Sequence, residues 1–169
     1  MAEYSPTSIF TLIPDSFADK TSQKAVLKEL FSLEDSQSVY SAPVPEYNAT
    51  LVYAWESFNN GSISPSPNLM PKALKLLTDL AALSEYNKLI VDFDSLRKKT
   101  CILLAEGKKL ITANSYHTVD FPTAVYYALE LLNKSQINPQ QTTVNFIGPV
   151  EDKEIEMLRS YFKEVRLKP

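Results

Sequence analysis

The chain has 169 residues, with one Cys, three Gly, and 17 basic against 20 acidic side chains, a net charge of −3. The length fits one domain, or one domain with an appendage, that buries a sizeable core unaided, and the single Cys101 excludes an internal disulfide and a thiolate zinc site. The acidic balance excludes a polybasic nucleic-acid binder. Because no apolar run is long enough to span a bilayer and no signal peptide begins the chain, the sequence predicts a cytoplasmic protein without membrane insertion.

The first part of the chain is predicted to fold as a strand, a helix and two further strands. An apolar run over residues 9–13 is typical of a strand, and Ser22 is expected to cap the helix that follows. Residues 39–40 and 50–55 are rich in β-branched and aromatic side chains, which favour strands. Residues 1–58 are therefore predicted to form an N-terminal β-α-β-β subdomain.

A linker is predicted at residues 59–68. Asn59-Asn60-Gly61 begins this stretch, and Pro65 and Pro67 follow closely, a composition that marks turns and connections. The remaining residues, 69–169, are predicted to form a second domain.

The second domain is predicted to follow the order helix-β-β-β-α-β-α. Its first helix begins after Asn68 with Pro71 in the first turn, and Asp120 caps a later helix. The loops between the first three strands are short, which indicates antiparallel neighbours in a meander. The predicted strands are 88–93, 100–105, 109–116 and 142–147, and the last helix begins at Glu151 and continues through Val165.

This order predicts an α/β fold with a mixed sheet, of the ribonuclease-H-like type. Three antiparallel strands precede a crossover helix, which returns the fourth strand parallel to a meander strand. The middle strand is apolar on both faces from Cys101 to Leu104, so it belongs inside the sheet, and Cys101 is expected in the core.

Segments in both parts of the chain resemble one family of proteins. They are Phe10–Pro14, Leu51–Ala54, Leu89–Asp94, Asn114–Tyr116, Asp120–Phe121 and Tyr126–Tyr127. The family is an uncharacterised bacterial one with a divergent actin-like ATPase fold, related to the cell-division and pilus-assembly actin homologues. Its members tend to be longer at the N-terminus, so the resemblance implies that this chain is a truncated member or a fragment.

The resemblance also implies where a nucleotide site would lie. An actin-like ATPase needs an acidic residue on the first meander strand, a Gly-rich hairpin after it, and a Gly-Gly turn after a later strand. Asp92 and Asp94 occupy the acidic position. The hairpin Ser95–Lys99 contains no glycine, and Gly148 is followed by Pro149, which has no N–H donor. Two of the three elements are damaged, which predicts a degenerate nucleotide site.

Two functions follow from this interpretation. The first is a non-catalytic actin-like or ribonuclease-H-like interaction module without a cofactor, whose partner is a second copy or another protein. The alternative is a weak nucleotide-binding ATPase in which Asp92 and Asp94 hold Mg-ATP together with Gly148, while Arg97 and Lys98 bind phosphate by charge.

A divalent-metal nuclease is a third and weaker hypothesis. Asp92 and Asp94 lie two apart on a strand and so share a face, but such a site needs further carboxylates. Asp120 and Glu130 are the candidates, and they are explained more simply as a helix cap and a surface residue. The acidic net charge also repels nucleic acid.

Overall fold

Three β-sheets and four α-helices make up residues 3–34, 37–56 and 68–168, the part of the chain described by a computed structural model. The chain divides into two units, of which the first ends at Asp79 and the second begins at Leu80. The predicted linker, apart from Asn68, lies outside the described residues. The division into residues 1–58, 59–68 and 69–169 therefore stays a prediction.

The first unit contains a three-stranded antiparallel sheet, one helix and a two-stranded parallel sheet. Its elements are β1 (Glu3–Ser5), β2 (Phe10–Pro14), α1 (Lys20–Leu30), β3 (Tyr40–Val44), β4 (Ala49–Tyr53) and β5 (Leu69–Pro71). The sheet order is β2-β4-β3, and β1 pairs with β5. Leu27 of α1 is fully buried in a small core with Ile13, Val52 and Ala54.

Asp19, rather than Ser22, caps α1. The Asp19 carboxylate accepts hydrogen bonds from the backbone N–H groups of Thr21 and Ser22, each at 3.0 Å. The hydroxyl and the backbone N–H of Ser22 also hold the pKa of this carboxyl below its usual range. Asp19 and Ser22 are both preferred capping residues and lie three positions apart. The prediction of Ser22 was wrong because the extended backbone already ends at Asp19.

Two proline residues lie in strands that the sequence did not predict in full. The strand expected at residues 39–40 extends to Val44 and includes Pro43, which is tolerated because β3 is an edge strand. Pro71 ends β5 instead of lying in the first turn of a helix. This second difference arises because β5 exists only through its parallel pairing with the distant β1.

The second unit is built on one five-stranded sheet. Its elements are β6 (Asn87–Asp94), β7 (Lys99–Glu106), β8 (Lys109–His117), α3 (Phe121–Lys134), β9 (Thr143–Ile147), α4 (Asp152–Tyr161) and β10 (Glu164–Lys168), and α2 (Lys72–Ala82) crosses the boundary between the units. The strand order is β10-β9-β6-β7-β8. The pairs β6–β7 and β7–β8 are antiparallel, whereas β9 is parallel to both β6 and β10.

The predicted order helix-β-β-β-α-β-α is confirmed, and the fold is α/β with a mixed sheet.

The strand β10 was missed. The sequence predicted that the last helix continues through Val165, but α4 ends at Tyr161 and Val165 lies on β10. The five residues of β10 alternate between charged and apolar side chains. So short a pattern fits the apolar face of a helix as well as a strand, and periodicity alone does not distinguish them.

The core of the second unit lies between one face of this sheet and the helices α3 and α4. Asp120 caps α3 as predicted, because its carboxylate accepts the backbone N–H of Thr123 at 2.9 Å. The buried side chains of this core include Leu89, Val91, Phe93, Ile102, Leu104, Phe121, Val125, Ala128, Leu132, Val144 and Phe146. The opposite face carries Asp92, which is thereby separated from the α3 side of the sheet.

Candidate functional site

The predicted site residues lie where β6 and β9 end side by side. Because these strands are parallel, their carboxyl ends meet at the same edge of the sheet. Asp92 lies opposite Ile147, Asp94 ends β6, and Gly148 directly follows β9. The structure therefore brings Asp92, Asp94 and Gly148 together, and the hairpin that follows Asp94 starts from this edge.

Gly148 is required by close approach of the backbone. Its φ is +125°, a conformation that side-chain-bearing residues rarely adopt, and a Cβ atom there would overlap the carbonyl oxygen of Phe93. The next residue is Pro149, which offers no N–H. The glycine is thus accounted for by packing of the turn against β6.

The hairpin between β6 and β7 is held by its own acidic residue. The Asp94 carboxylate accepts the backbone N–H of Arg97 at 3.0 Å, and a guanidinium nitrogen of Arg97 lies 3.6 Å from the other carboxylate oxygen. Lys98 has φ +52°, and the Leu96 side chain is 94% exposed at the tip. Asp94 and Arg97 are therefore partners of each other, and Asp94 closes the turn.

We expect Asp94→Ala to lower the free energy of unfolding by about 1 kcal/mol, the net value of one hydrogen bond of this kind. Asp94→Asn is the matched control, because its side-chain oxygen still accepts the Arg97 N–H, so its loss should be smaller. Urea unfolding followed by far-ultraviolet circular dichroism measures both. Equal stability of Asp94→Ala and the wild type would show that the hairpin does not depend on this bond.

Asp92 lies on the other strand face from the main core and is 8% exposed. It is directly opposite Cys101, which in turn lies opposite Ser115, so these three side chains share one face. Cys101 is half-buried, and the expectation of a core cysteine was wrong because this end of the face is less covered than the middle.

The carboxylates proposed to complete a metal site have other partners. Asp120 bonds to Thr123 at the start of α3, and Glu130 pairs with Lys134 at 2.8 Å. The hydroxyl and the backbone N–H of Thr123 lower the pKa of Asp120, and the hydrogen bond that Lys134 donates to Glu130 raises the pKa of Lys134. Within residues 3–34, 37–56 and 68–168, no group of three or more His, Cys, Asp and Glu side chains could hold a metal ion.

A row of three tyrosines beside β8 was only partly anticipated. The rings of Tyr116 and Tyr127 stack with centroids 5.0 Å apart, and Tyr126 meets Tyr127 edge-on at 5.7 Å. Tyr126 is 59% exposed. Tyr116 joins the two α3 tyrosines only through the packing of α3 on the sheet.

Comparison with known proteins places the chain in a family. The family model described as a protein of unknown function (DUF3822) matches residues 4–165. The chain belongs to the DUF3822 family. The predicted membership of an uncharacterised family is thereby confirmed. The description of the DUF3822 family names no activity for the site where β6 and β9 end.

A solved structure shows the fold of this DUF3822 chain in another protein. The protein comes from Bacteroides thetaiotaomicron VPI-5482 and is described as having an actin-like ATPase fold and unknown function. It aligns with a TM-score of 0.79 and 14% sequence identity, covering 98% of this chain and 66% of that one. The predicted actin-like fold is confirmed, and the chain spans about two thirds of that protein's length.

Two further findings bear on the class of protein. No curated protein matches the DUF3822 chain. Among the described helices, the longest is α3 at 14 residues, and none has the length and apolar character needed to cross a membrane.

Proposed function

We propose that this DUF3822 chain acts through protein–protein contact, as a non-catalytic actin-like module with a degenerate nucleotide site. The observation that carries the proposal is the bond from the Arg97 N–H to the Asp94 carboxylate. In a hairpin that grips phosphate, backbone N–H groups are directed at the anion. Here a carboxylate of the chain itself takes that donor and adds a negative charge beside it.

Two features of this edge support a module without Mg-ATP. The Arg97 guanidinium lies beside the same Asp94 carboxylate, so its charge is already compensated. Pro149 supplies no donor after Gly148, and the conformation of Gly148 is accounted for by the contact with Phe93. The proposal therefore includes no cofactor and no catalytic residue.

The alternative is a weak nucleotide-binding ATPase, favoured by one observation. Asp92, Asp94 and Gly148 do meet at one edge, beside the basic residues Arg97 and Lys98. In this alternative the carboxylates would hold Mg²⁺ and the cations would attract the phosphates.

Thermal unfolding with millimolar Mg-ATP or Mg-ADP separates the two functions. A ligand with a Kd of one hundredth of its free concentration adds about 2.7 kcal/mol of stability, which raises the Tm by several degrees. We expect no rise in Tm beyond that produced by magnesium and inorganic triphosphate. A saturable rise that is lost in Asp92→Asn but kept in Asp152→Asn would establish the alternative and overturn our proposal.

The proposal extends to the setting and to the partner. We place the module in the bacterial cytoplasm, which is supported by the lone Cys101 and by the likeness to a Bacteroides protein, and we propose that it binds neither nucleic acid nor membrane. Its partner is a second copy or a different protein. Sedimentation over a range of protein concentrations distinguishes the two, because only self-association makes the mass depend on concentration.

A further inference from the structure

The strand β8 is one edge of the five-stranded sheet, and its outward backbone groups can be assigned. The N–H of Thr118 bonds to the carbonyl of Lys98 at 2.9 Å, one step beyond the Lys99–His117 pair that ends the β7–β8 register. Hydrogen-bonded and non-hydrogen-bonded pairs alternate along an antiparallel ladder. The N–H and C=O groups of Ala113, Ser115 and His117 therefore point away from β7, and across the described residues no further strand pairs with them.

The two edges of this sheet differ in the features that block strand addition. Charged side chains on an edge strand discourage pairing with another chain. The edge strand β10 has five residues, of which Glu164, Arg166 and Lys168 are charged. The edge strand β8 has nine residues, and its central stretch from Leu110 to Tyr116 carries no charge. The sheet is thus protected at β10 and open to pairing at β8.

The tyrosine row lies beside this open edge. Tyr116 belongs to β8, Tyr127 stacks on it, and Tyr126 continues the row to the exposed surface. A strand added to β8 would place alternate side chains on the face that carries these rings. Tyrosine rings supply rigid apolar contact area with a polar tip, which suits recognition of a peptide.

Charge at the two ends of β8 determines the kind of strand that fits. Lys108 and Lys109 lie at one end against the single carboxylate of Glu106. At the other end, Arg97, Lys98 and Lys99 lie near His117 with one carboxylate, that of Asp94, which is opposite Lys99 and pairs with Arg97. Both ends are net positive, and at about 3.4 Å per residue they lie about 27 Å apart.

This charge pattern disfavours a second copy as the occupant. Two copies related by a two-fold axis would pair their β8 strands antiparallel around Ala113. That register sets Lys109 of one copy against His117 of the other, so Lys109 approaches Lys99, which lies opposite His117 in its own copy. Like charges brought together in this way disfavour the strand pair.

We propose that β8 binds an extended segment of a different protein by strand addition, and that this segment has an uncharged β-forming centre flanked by acidic residues. The inference rests on the proposed function and names the surface and the partner chemistry for it. The outward N–H and C=O groups of Ser115 and His117, with those of the more buried Ala113, supply the ladder, and the lysines at both ends select carboxylates.

The test uses fluorescence anisotropy with two synthetic peptides and the full chain. Both peptides have a threonine–valine core of about seven residues, matched to the strand. One carries two aspartates at each end, and the other carries two lysines at each end. We expect the aspartate peptide to bind about tenfold more tightly or better at low salt.

Variants of β8 and of its flanks make the test specific. Ser115→Pro removes an outward N–H without breaking a β7–β8 bond, so we expect about a tenfold loss of affinity, whereas Ser115→Ala keeps the N–H and should bind as the wild type does. The double variant Lys108→Glu and Lys109→Glu should shift the preference towards the lysine peptide. Unchanged melting curves show that each variant is folded, and the preference shift stays informative if Ser115→Pro does not fold.

Four outcomes would overturn this inference. They are failure of the aspartate peptide to bind, equal binding of both peptides, tighter binding of a single-stranded oligothymidylate, and a dimer that Ser115→Pro abolishes. Oligothymidylate binding would also contradict the proposal that the module binds no nucleic acid. The other three outcomes leave the proposed interaction role intact, because that role is overturned by nucleotide binding that depends on Asp92. The two proposals can therefore fail separately.

Discussion

Replacing Phe146 by alanine is expected to lower the free energy of unfolding by about 3–5 kcal/mol, the usual cost of emptying a buried phenylalanine site. Phe146 lies on β9 and is 1% exposed. Its ring centroid lies 5.3 Å from that of Phe121 and 6.4 Å from that of Phe93, so the side chain joins β9 to both α3 and β6. The truncation removes these contacts and leaves a cavity that rigid neighbours cannot fill.

Urea unfolding at constant temperature measures this loss, and two variants calibrate it. Phe146→Leu keeps most of the apolar volume and should cost clearly less than the alanine variant. Leu96→Ala removes a side chain that is 94% exposed, so its effect should stay within about 0.5 kcal/mol. A loss below about 1 kcal/mol in Phe146→Ala would contradict the central position of β9 in this core.

Replacing Gly148 by alanine is expected to cost about 2–4 kcal/mol of stability, because strain at a disfavoured φ adds to a backbone overlap. The φ of +125° is unfavourable for alanine, and the new Cβ would overlap the Phe93 carbonyl oxygen. That oxygen belongs to the backbone of β6, so relief requires the turn after β9 to move away from the sheet. The same unfolding experiment measures the effect.

Gly107→Ala is the matched control for the turn after β9. Gly107 has φ +55°, and a Cβ there would approach only the flexible ring of Tyr86, at 3.3 Å. The expected cost is the ordinary penalty of a left-handed residue, about 1 kcal/mol. If both alanine variants lost the same stability, the close approach of Gly148 to Phe93 would not be the cause.

The sequence predicted the second unit more fully than the first, for identifiable reasons. The strands β6 to β8 have eight or nine residues each, contain apolar runs and are joined by short loops, so both their existence and their antiparallel pairing follow from local pattern. The strands β1, β5 and β10 have only three to five residues and parallel partners. Such strands form through pairing with distant segments, which periodicity does not report.

The candidate site was predicted in its position but not in its internal bonds. Parallel pairing of β6 with β9 is enough to bring Asp92, Asp94 and Gly148 to one edge. The bond from the Arg97 N–H to Asp94 was missed, although an Asp three residues before a turn donor is a signal that could have predicted it. The tyrosine row needed the actual packing of α3, since no local rule joins Tyr116 to Tyr127.

The position of β9 between β6 and β10 has a consequence during protein synthesis. The meander of β6 to β8 leaves the ribosome first, while the apolar flank of β6 still lacks the neighbour that will cover it. That flank stays unpaired until Thr143–Ile147 has also left the ribosome, and an unpaired strand edge is a template for aggregation.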